Sequence, residues 1–174
     1  MTTTHTPYDT ISLIGMPGVG KSTTGVILAK LLGLEFADTD LAIQAREGRT
    51  LQEIVDSEGY LTLRRIEEEV LLAIDVSQRV LSTGGSVVYS EAIMQRLAAS
   101  GPVVYLAADL ATLEQRVAAN PMRCIESDGA QTFADIYDER TPLYERYATH
   151  RVDAANGNAD TVAARIVSAL HADA

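Results

Sequence analysis

The stretch GMPGVGKST at residues 15–23 constrains this chain more than any other. Its spacing is G-x-x-x-x-G-K-[ST], and the flanking residues decide whether that spacing carries meaning. Before it, TISLIG (10–15) is short, apolar and β-branched, which predicts a buried strand. After it, KSTTGVILAKLLG (21–33) has the length and apolar period of a helix, with Gly33 as its stop. A glycine-rich turn between strand and helix lets backbone N–H groups wrap a phosphate, and the helix N-terminus adds partial positive charge. Gly18 and Gly20 supply the bare backbone, Lys21 reaches the β- and γ-phosphates, the Ser22 hydroxyl ligates Mg²⁺, and Thr23 adds a contact at the helix start. The motif in this setting predicts a site for a nucleoside triphosphate.

The remaining pattern supports one fold class. Strand candidates at 34–40, 80–83, 101–109 and 151–154 alternate with helix candidates at 50–76 (broken near Gly59), 90–99, 110–120, 133–147 and 160–172. Such alternation implies right-handed crossovers and a three-layer α/β domain, a mostly parallel sheet with helices on both faces. At 174 residues, with no repeat or linker, the whole chain 1–174 reads as a single domain. Residues 121–132, PMRCIESDGAQT, have no period and read as a mobile connection. Lys+Arg 14 against Asp+Glu 24 gives a net charge of −10, which argues against a general nucleic-acid or anionic-membrane surface. An anionic ligand must then be held by a local cluster of cations. The N-terminal MTTTHTPYDT has no apolar core of a signal peptide, and one cysteine, Cys124, excludes an internal disulfide. The expectation is a cytoplasmic enzyme or binding domain, monomeric, with neither nucleic acid nor membrane as partner.

A phosphate loop usually works with an acid at a neighbouring strand end. VLSTGGSVVYS (80–90) offers Ser82, Thr83 and glycines there instead. The nearest acids are Asp38 and Asp40 in DTD, at the end of the second strand candidate. Two residues apart on a strand they would point the same way, one toward a metal and the other toward a substrate hydroxyl, while either could equally cap a helix. Arg64 and Arg65 in LRRIEEE, Arg123, and Arg140 in DERTPLYERY supply the cations. Of the first pair, one can turn inward while the other meets surface glutamates. Guanidinium forks suit a carboxylate or a transferring phosphoryl group. Tyr144 and Tyr147 read as packing residues on a helix, and His5, His150 and His171 lack ligand spacing.

With GMPGVGKST, DTD, LRRIE, GGS and RTPLYERYA in this order, the chain resembles the shikimate kinases, from about residue 10 to residue 154. The resemblance implies a P-loop kinase fold with a lid near 120–132 and an acceptor-binding helical region near 41–76. It implies ATP-dependent phosphorylation of a ring hydroxyl of shikimate to shikimate 3-phosphate, in aromatic amino-acid biosynthesis, with Mg²⁺ as cofactor. By it, Asp38 helps to hold Mg²⁺ through water, and Asp40 binds ring hydroxyls and helps to deprotonate the attacking one. Arg64 and Arg140 clamp the carboxylate, Gly84 and Gly85 offer backbone to the ring, and Arg123 is the lid arginine. Arg116 flanks the adenine, and Glu67 steadies the substrate arginines.

The chain departs from that pattern twice. Ser86 stands where the family usually has a third consecutive glycine, at a cost of about 1 kcal/mol if the position needs φ > 0 and little otherwise. Around Arg123 the segment reads RCIESDG in place of a proline and leucines, so Glu126 and Asp128 bring negative charge toward bound phosphate. These changes read either as neutral drift or as a changed acceptor or rate. The competing functions are therefore a kinase for another small polyhydroxy acid, gluconate-like, and a nucleotide-binding regulatory module without transferase activity. Lys21, Ser22, Asp38, Asp40 and Arg123 together argue against an idle site.

Overall fold

The computed structural model describes residues 7–119 and 130–172. In chain order the elements are β1 (Thr10–Ile14), α1 (Lys21–Leu32), β2 (Glu35–Asp38), α2 (Thr39–Glu47), α3 (Leu51–Glu58), α4 (Tyr60–Ala73), β3 (Arg79–Ser82) and a 3₁₀ turn (Val87–Tyr89). They continue with α5 (Glu91–Ser100), β4 (Val103–Ala107), α6 (Leu110–Ala118), α7 (Phe133–Tyr147), β5 (His150–Asp153) and α8 (Ala159–Ala172). The five strands pair in parallel in the order β2-β3-β1-β4-β5. β1 is central and buried along its whole length, as a strand covered on both faces of a parallel sheet should be. α1 and α8 pack on each other and on the sheet, α5 lies against β1, and α7 against β4.

This order puts functional residues side by side. Register pairs Asp38 with Ser82 and Ser82 with Leu13, so the ends of β2, β3 and β1 form one edge. In parallel sheets that carboxyl edge is where ligands bind. Gly33 closes α1 with φ 71° and its N–H on the Ala29 carbonyl, the stop expected of it.

Among the described residues, two apolar clusters hold the fold together. The larger wraps the sheet, and a smaller one joins Ile43, Ile54, Leu63, Ile66 and Val70 of α2, α3 and α4. The helical region expected near 41–76 thus has its own small core. Gly59, at φ 84° and ψ 163°, separates α3 from α4 where the break was expected.

One expectation is corrected. The second strand stops at Asp38, and Asp40 lies in the first turn of α2. Asp38 Oδ1 accepts from the backbone N–H of Asp40 at 3.0 Å and of Leu41 at 3.4 Å. An aspartate in extended backbone that satisfies two orphan donors starts a helix rather than prolonging a strand. Asp38 and Asp40 are therefore not related by strand alternation. Segment 120–129, with most of the expected lid, lies outside the described residues, as do Arg123, Cys124, Glu126 and Asp128.

Candidate active site

The phosphate loop follows the central strand and turns into α1. Gly18 and Gly20 sit at φ 87° and 101°, a region costly to any residue with a Cβ. Gly20 is also the N-cap of α1, so the helix opens with no side chain in front of its free N–H groups. Lys21 is buried at the mouth of the loop, and its Nζ donates to the carbonyls of Gly15 (2.7 Å) and Met16 (3.1 Å). Ser22 and Thr23 are exposed on the first turn. Ser22 Oγ lies 3.2 Å from Ser82 Oγ at the end of β3. The half-buried Arg116 reaches across the loop, donating to the carbonyls of Val19 (3.4 Å) and Ala155 (3.1 Å).

Opposite the loop lies a surface of bare backbone. A cleft of about 70 Å³ is lined by Lys21, Ser22, Asp40, Gly84, Gly85 and Arg140, among others. Neither Gly84 nor Gly85 has positive φ, so their lack of a side chain answers a need for space. A Cβ on Gly85 would meet Arg140 Nη1 at 2.9 Å and Pro17 Cδ at 3.0 Å, and one on Gly84 would run into the Glu67 carboxylate. The Gly84 N–H donates to Thr39 Oγ1 at 3.2 Å, and Tyr144 donates to the Gly85 carbonyl at 2.5 Å. Tyr144 does pack as expected, fully buried and stacked on Tyr105 at 5.2 Å between centroids. The bond to Gly85 adds a role that residue type alone does not signal. Burial pushes the Tyr144 phenol well above its ordinary pKa, so it stays a donor.

Ser86, next in line, has φ −84° and ψ −6°, ordinary right-handed backbone. The serine therefore brings no conformational strain. Its hydroxyl points away from solvent and donates to Glu67, and both residues are 2% exposed. Arg140 is equally buried, at 1%.

The two arginines expected to act together come from different places. Arg140 projects from α7 into the cleft beside the phosphate loop. Arg64 projects from α4 into a neighbouring cavity of about 430 Å³, shared with Glu67, Ser86 and Tyr89. Both guanidinium groups lie over the ring of Tyr89. Arg65 is exposed and pairs with Glu69 at 2.7 Å, so of the two neighbouring arginines Arg64 is the inward one. Tyr89 is a site residue that sequence reasoning missed, because a tyrosine in an apolar run carries no signal of its own.

The donor set suits a magnesium ion carried in with a nucleotide. Among the described residues no group of three or more His, Cys, Asp or Glu could form a metal cage. Mg²⁺ does not need one, since it is usually held by one or two carboxylates, waters and substrate phosphates. Ser22 Oγ at the helix start and the Asp38 carboxylate at the same sheet edge supply that minimum. Capping of α2 engages Oδ1 of Asp38, and a carboxylate has a second oxygen for a bound water.

A phosphate loop at the centre of a parallel sheet, facing an arginine-flanked cleft floored by glycine backbone, defines a P-loop kinase of small molecules. A sequence model of the shikimate kinase family matches residues 17–171, and the chain belongs to that family. It is 44% identical over 163 residues to the shikimate kinase of Mycobacterium avium, covering 92% of both chains. To that of Mycobacterium tuberculosis it is 40% identical over 161 residues, covering 91% of each. The structure of shikimate kinase from Acinetobacter baumannii in complex with shikimate superposes with a TM-score of 0.85 at 31% identity, over 96% of this chain and 95% of that one.

Proposed function

We propose that this protein transfers the γ-phosphoryl group of ATP to a ring hydroxyl of shikimate, giving shikimate 3-phosphate. The observation that carries this reading is the convergence of Asp40, Gly84, Gly85 and Arg140 on one side of a cleft whose other side is Lys21 and Ser22. A hydroxyl acceptor with a carboxylate fits the first side, and a triphosphate the second. The chain's similarity to a structure holding shikimate supports the choice of acceptor.

In this mechanism the work is positioning and charge neutralisation, because phosphoryl transfer asks little covalent chemistry of the protein. Arg140 and Arg64 bind the acceptor carboxylate, whose planar geometry matches a guanidinium fork. Gly84 and Gly85 offer backbone to the ring at a place where a Cβ would displace Glu67 or Arg140. Asp40 accepts hydrogen bonds from the ring hydroxyls and takes the proton of the attacking one. Lys21 and the N–H groups of the loop hold the β- and γ-phosphates, with Arg116 beside the adenine. Ser22 and, through water, Asp38 would hold Mg²⁺, which supplies charge neutralisation on the phosphates. Arg123 is assigned to the transferring phosphoryl group. Among the described residues no helix is long and apolar enough to cross a membrane. We place the protein in the cytoplasm as a monomer, which sedimentation would check.

ADP release from Mg·ATP, measured with shikimate and then with a panel of sugar acids, is the direct test. Stimulation by shikimate is expected. Stimulation by another acid alone would reject this acceptor, and none by any acceptor would reject transferase activity. Arg64→Ala and Arg140→Ala should each raise the acceptor KM by about 10- to 100-fold, the worth of a hydrogen bond to a charged group, with little change in ATP KM. An equal loss of ATP affinity would contradict the carboxylate role.

A further inference from the structure

The acceptor clamp as proposed needs two arginines from two parts of the molecule. Arg64 stands on α4, within the small helical cluster, and Arg140 on α7, packed on the main sheet. Neither element fixes the other arginine. Tyr89, the last residue of the 3₁₀ turn after Gly84 and Gly85, lies between them. The guanidinium carbon of Arg64 is 4.0 Å from the centroid of its ring, and that of Arg140 is 5.2 Å away. Arg140 Nε also donates to the Tyr89 hydroxyl at 3.3 Å, and that hydroxyl hydrogen-bonds the Glu139 carboxylate.

The hold on Arg64 is largely aromatic. Its Nε is buried with no hydrogen-bond partner, while its guanidinium lies over Tyr89 and 5.0 Å from the Tyr60 centroid. Contact with a ring uses the face of a guanidinium and leaves its N–H edge available for a carboxylate. An acidic partner would instead compete with the acceptor for that edge. A ring placed against both guanidinium groups thus sets their spacing, holding Arg64 by its face and Arg140 by its face and its Nε.

We infer that Tyr89 is a positioning residue for acceptor recognition, its ring serving as the shared platform on which Arg64 and Arg140 are held for one carboxylate. This rests on the proposed acceptor and on the carboxylate role of the two arginines. The ring carries the effect, and the hydroxyl adds only a secondary restraint on Arg140 and Glu139.

Steady-state kinetics of the full chain, varying shikimate at saturating Mg·ATP and then the reverse, test it. Tyr89→Leu should raise the shikimate KM about tenfold, a loss of ~1.4 kcal/mol, at the upper part of the range for contacts of a cation with a ring. Its kcat and ATP KM should stay within about twofold of the unsubstituted enzyme, since Tyr89 lines the cavity of Arg64 and not the cleft beside the phosphate loop. Tyr89→Phe, which keeps the ring, should stay within about threefold for shikimate. In an Arg64→Ala background the effect of Tyr89→Leu should shrink to under about threefold, because part of what the ring holds is gone. Should Tyr89→Leu fail to fold, Tyr89→Met fills the same half-buried position without a ring and is read identically.

An unchanged shikimate KM in Tyr89→Leu, an equal rise in ATP KM, Tyr89→Phe as damaging as Tyr89→Leu, or full additivity with Arg64→Ala would each overturn the inference. Those outcomes leave the acceptor assignment standing. If the unsubstituted enzyme does not phosphorylate shikimate, the acceptor assignment fails first and the role of Tyr89 falls with it.

Discussion

At Gly84 and Gly85 the backbone is bare because Glu67, Asp40, Arg140 and Pro17 crowd the space a Cβ would fill. Gly85→Ala should therefore displace Arg140 and lower kcat/KM for the acceptor about tenfold, overpacking in a tight site costing ~1–3 kcal/mol. An acceptor kcat/KM unchanged in this variant would mean that Arg140 yields without consequence. Ser86 shows the opposite case, a position with room. It could equally have been a strained substitution, and only its φ of −84° and its bond to Glu67 settle the matter. Ser86→Ala takes one donor from a buried carboxylate and should cost ~1–3 kcal/mol of stability. Thermal unfolding should then shift down by several degrees, at about 2–4 °C per kcal/mol for a chain of this size. No shift would show that the hydroxyl is dispensable to Glu67. The glycine pair was visible in the sequence as a pattern. The partner of Ser86 was not, because Glu67 is 19 residues away on another element.

Among the elements, helix starts are the most strongly encoded. α3 and α7 open with reciprocal capping boxes, Thr50 with Glu53 and Thr132 with Asp135, and α6 opens on Asp109. Thr132→Ala should cost about 1 kcal/mol, a lowering of roughly 2–4 °C on thermal unfolding. The carboxyls in these caps are held below their ordinary range. The main cause is the backbone N–H of Thr50 for Glu53, that of Thr112 for Asp109, and the Thr132 hydroxyl for Asp135. A carboxyl whose pKa is lower folded than unfolded stabilises the fold above its unfolded value and loses that contribution as pH falls through its folded one. Stability in urea should hold between pH 7 and pH 5 and decline below about pH 4, where unfolded carboxyls take up protons. Asp135→Asn should flatten part of that decline, and an identical pH profile in the variant would count against the cap as its source. The span of α7, residues 133–147, was legible in the sequence, and the Thr132–Asp135 capping box found in the structure accounts for its start. The DTD segment was not, because strand continuation and helix capping compete for the same three residues and the capping bonds of Asp38 decide between them.

For the whole molecule, a net charge of −10 must coexist with a site for a highly charged anion. The solution is local, with Lys21, the α1 N-terminus and Arg140 gathered around one cleft and Arg116 reaching across the phosphate loop. Binding there should stabilise the entire fold, since only the folded chain offers the site. At one hundred times its Kd, Mg·ADP should add about 2.7 kcal/mol, read as a rise of several degrees in unfolding temperature. A chelator should remove much of that gain if Ser22 and Asp38 hold the metal, whereas the same shift with ADP and chelator would remove the metal from the assignment. By itself the sequence determined the phosphate loop, the alternation of strands and helices and most helix starts, because these depend on neighbours within a few residues. The tertiary structure alone decided that Glu67 meets Ser86, that Tyr144 meets Gly85 from 59 residues away, and that Tyr89 lies under Arg64 and Arg140. Those contacts depend on the strand order β2-β3-β1-β4-β5 and on how α4 and α7 pack beside it, and no local pattern of residues encodes that distance.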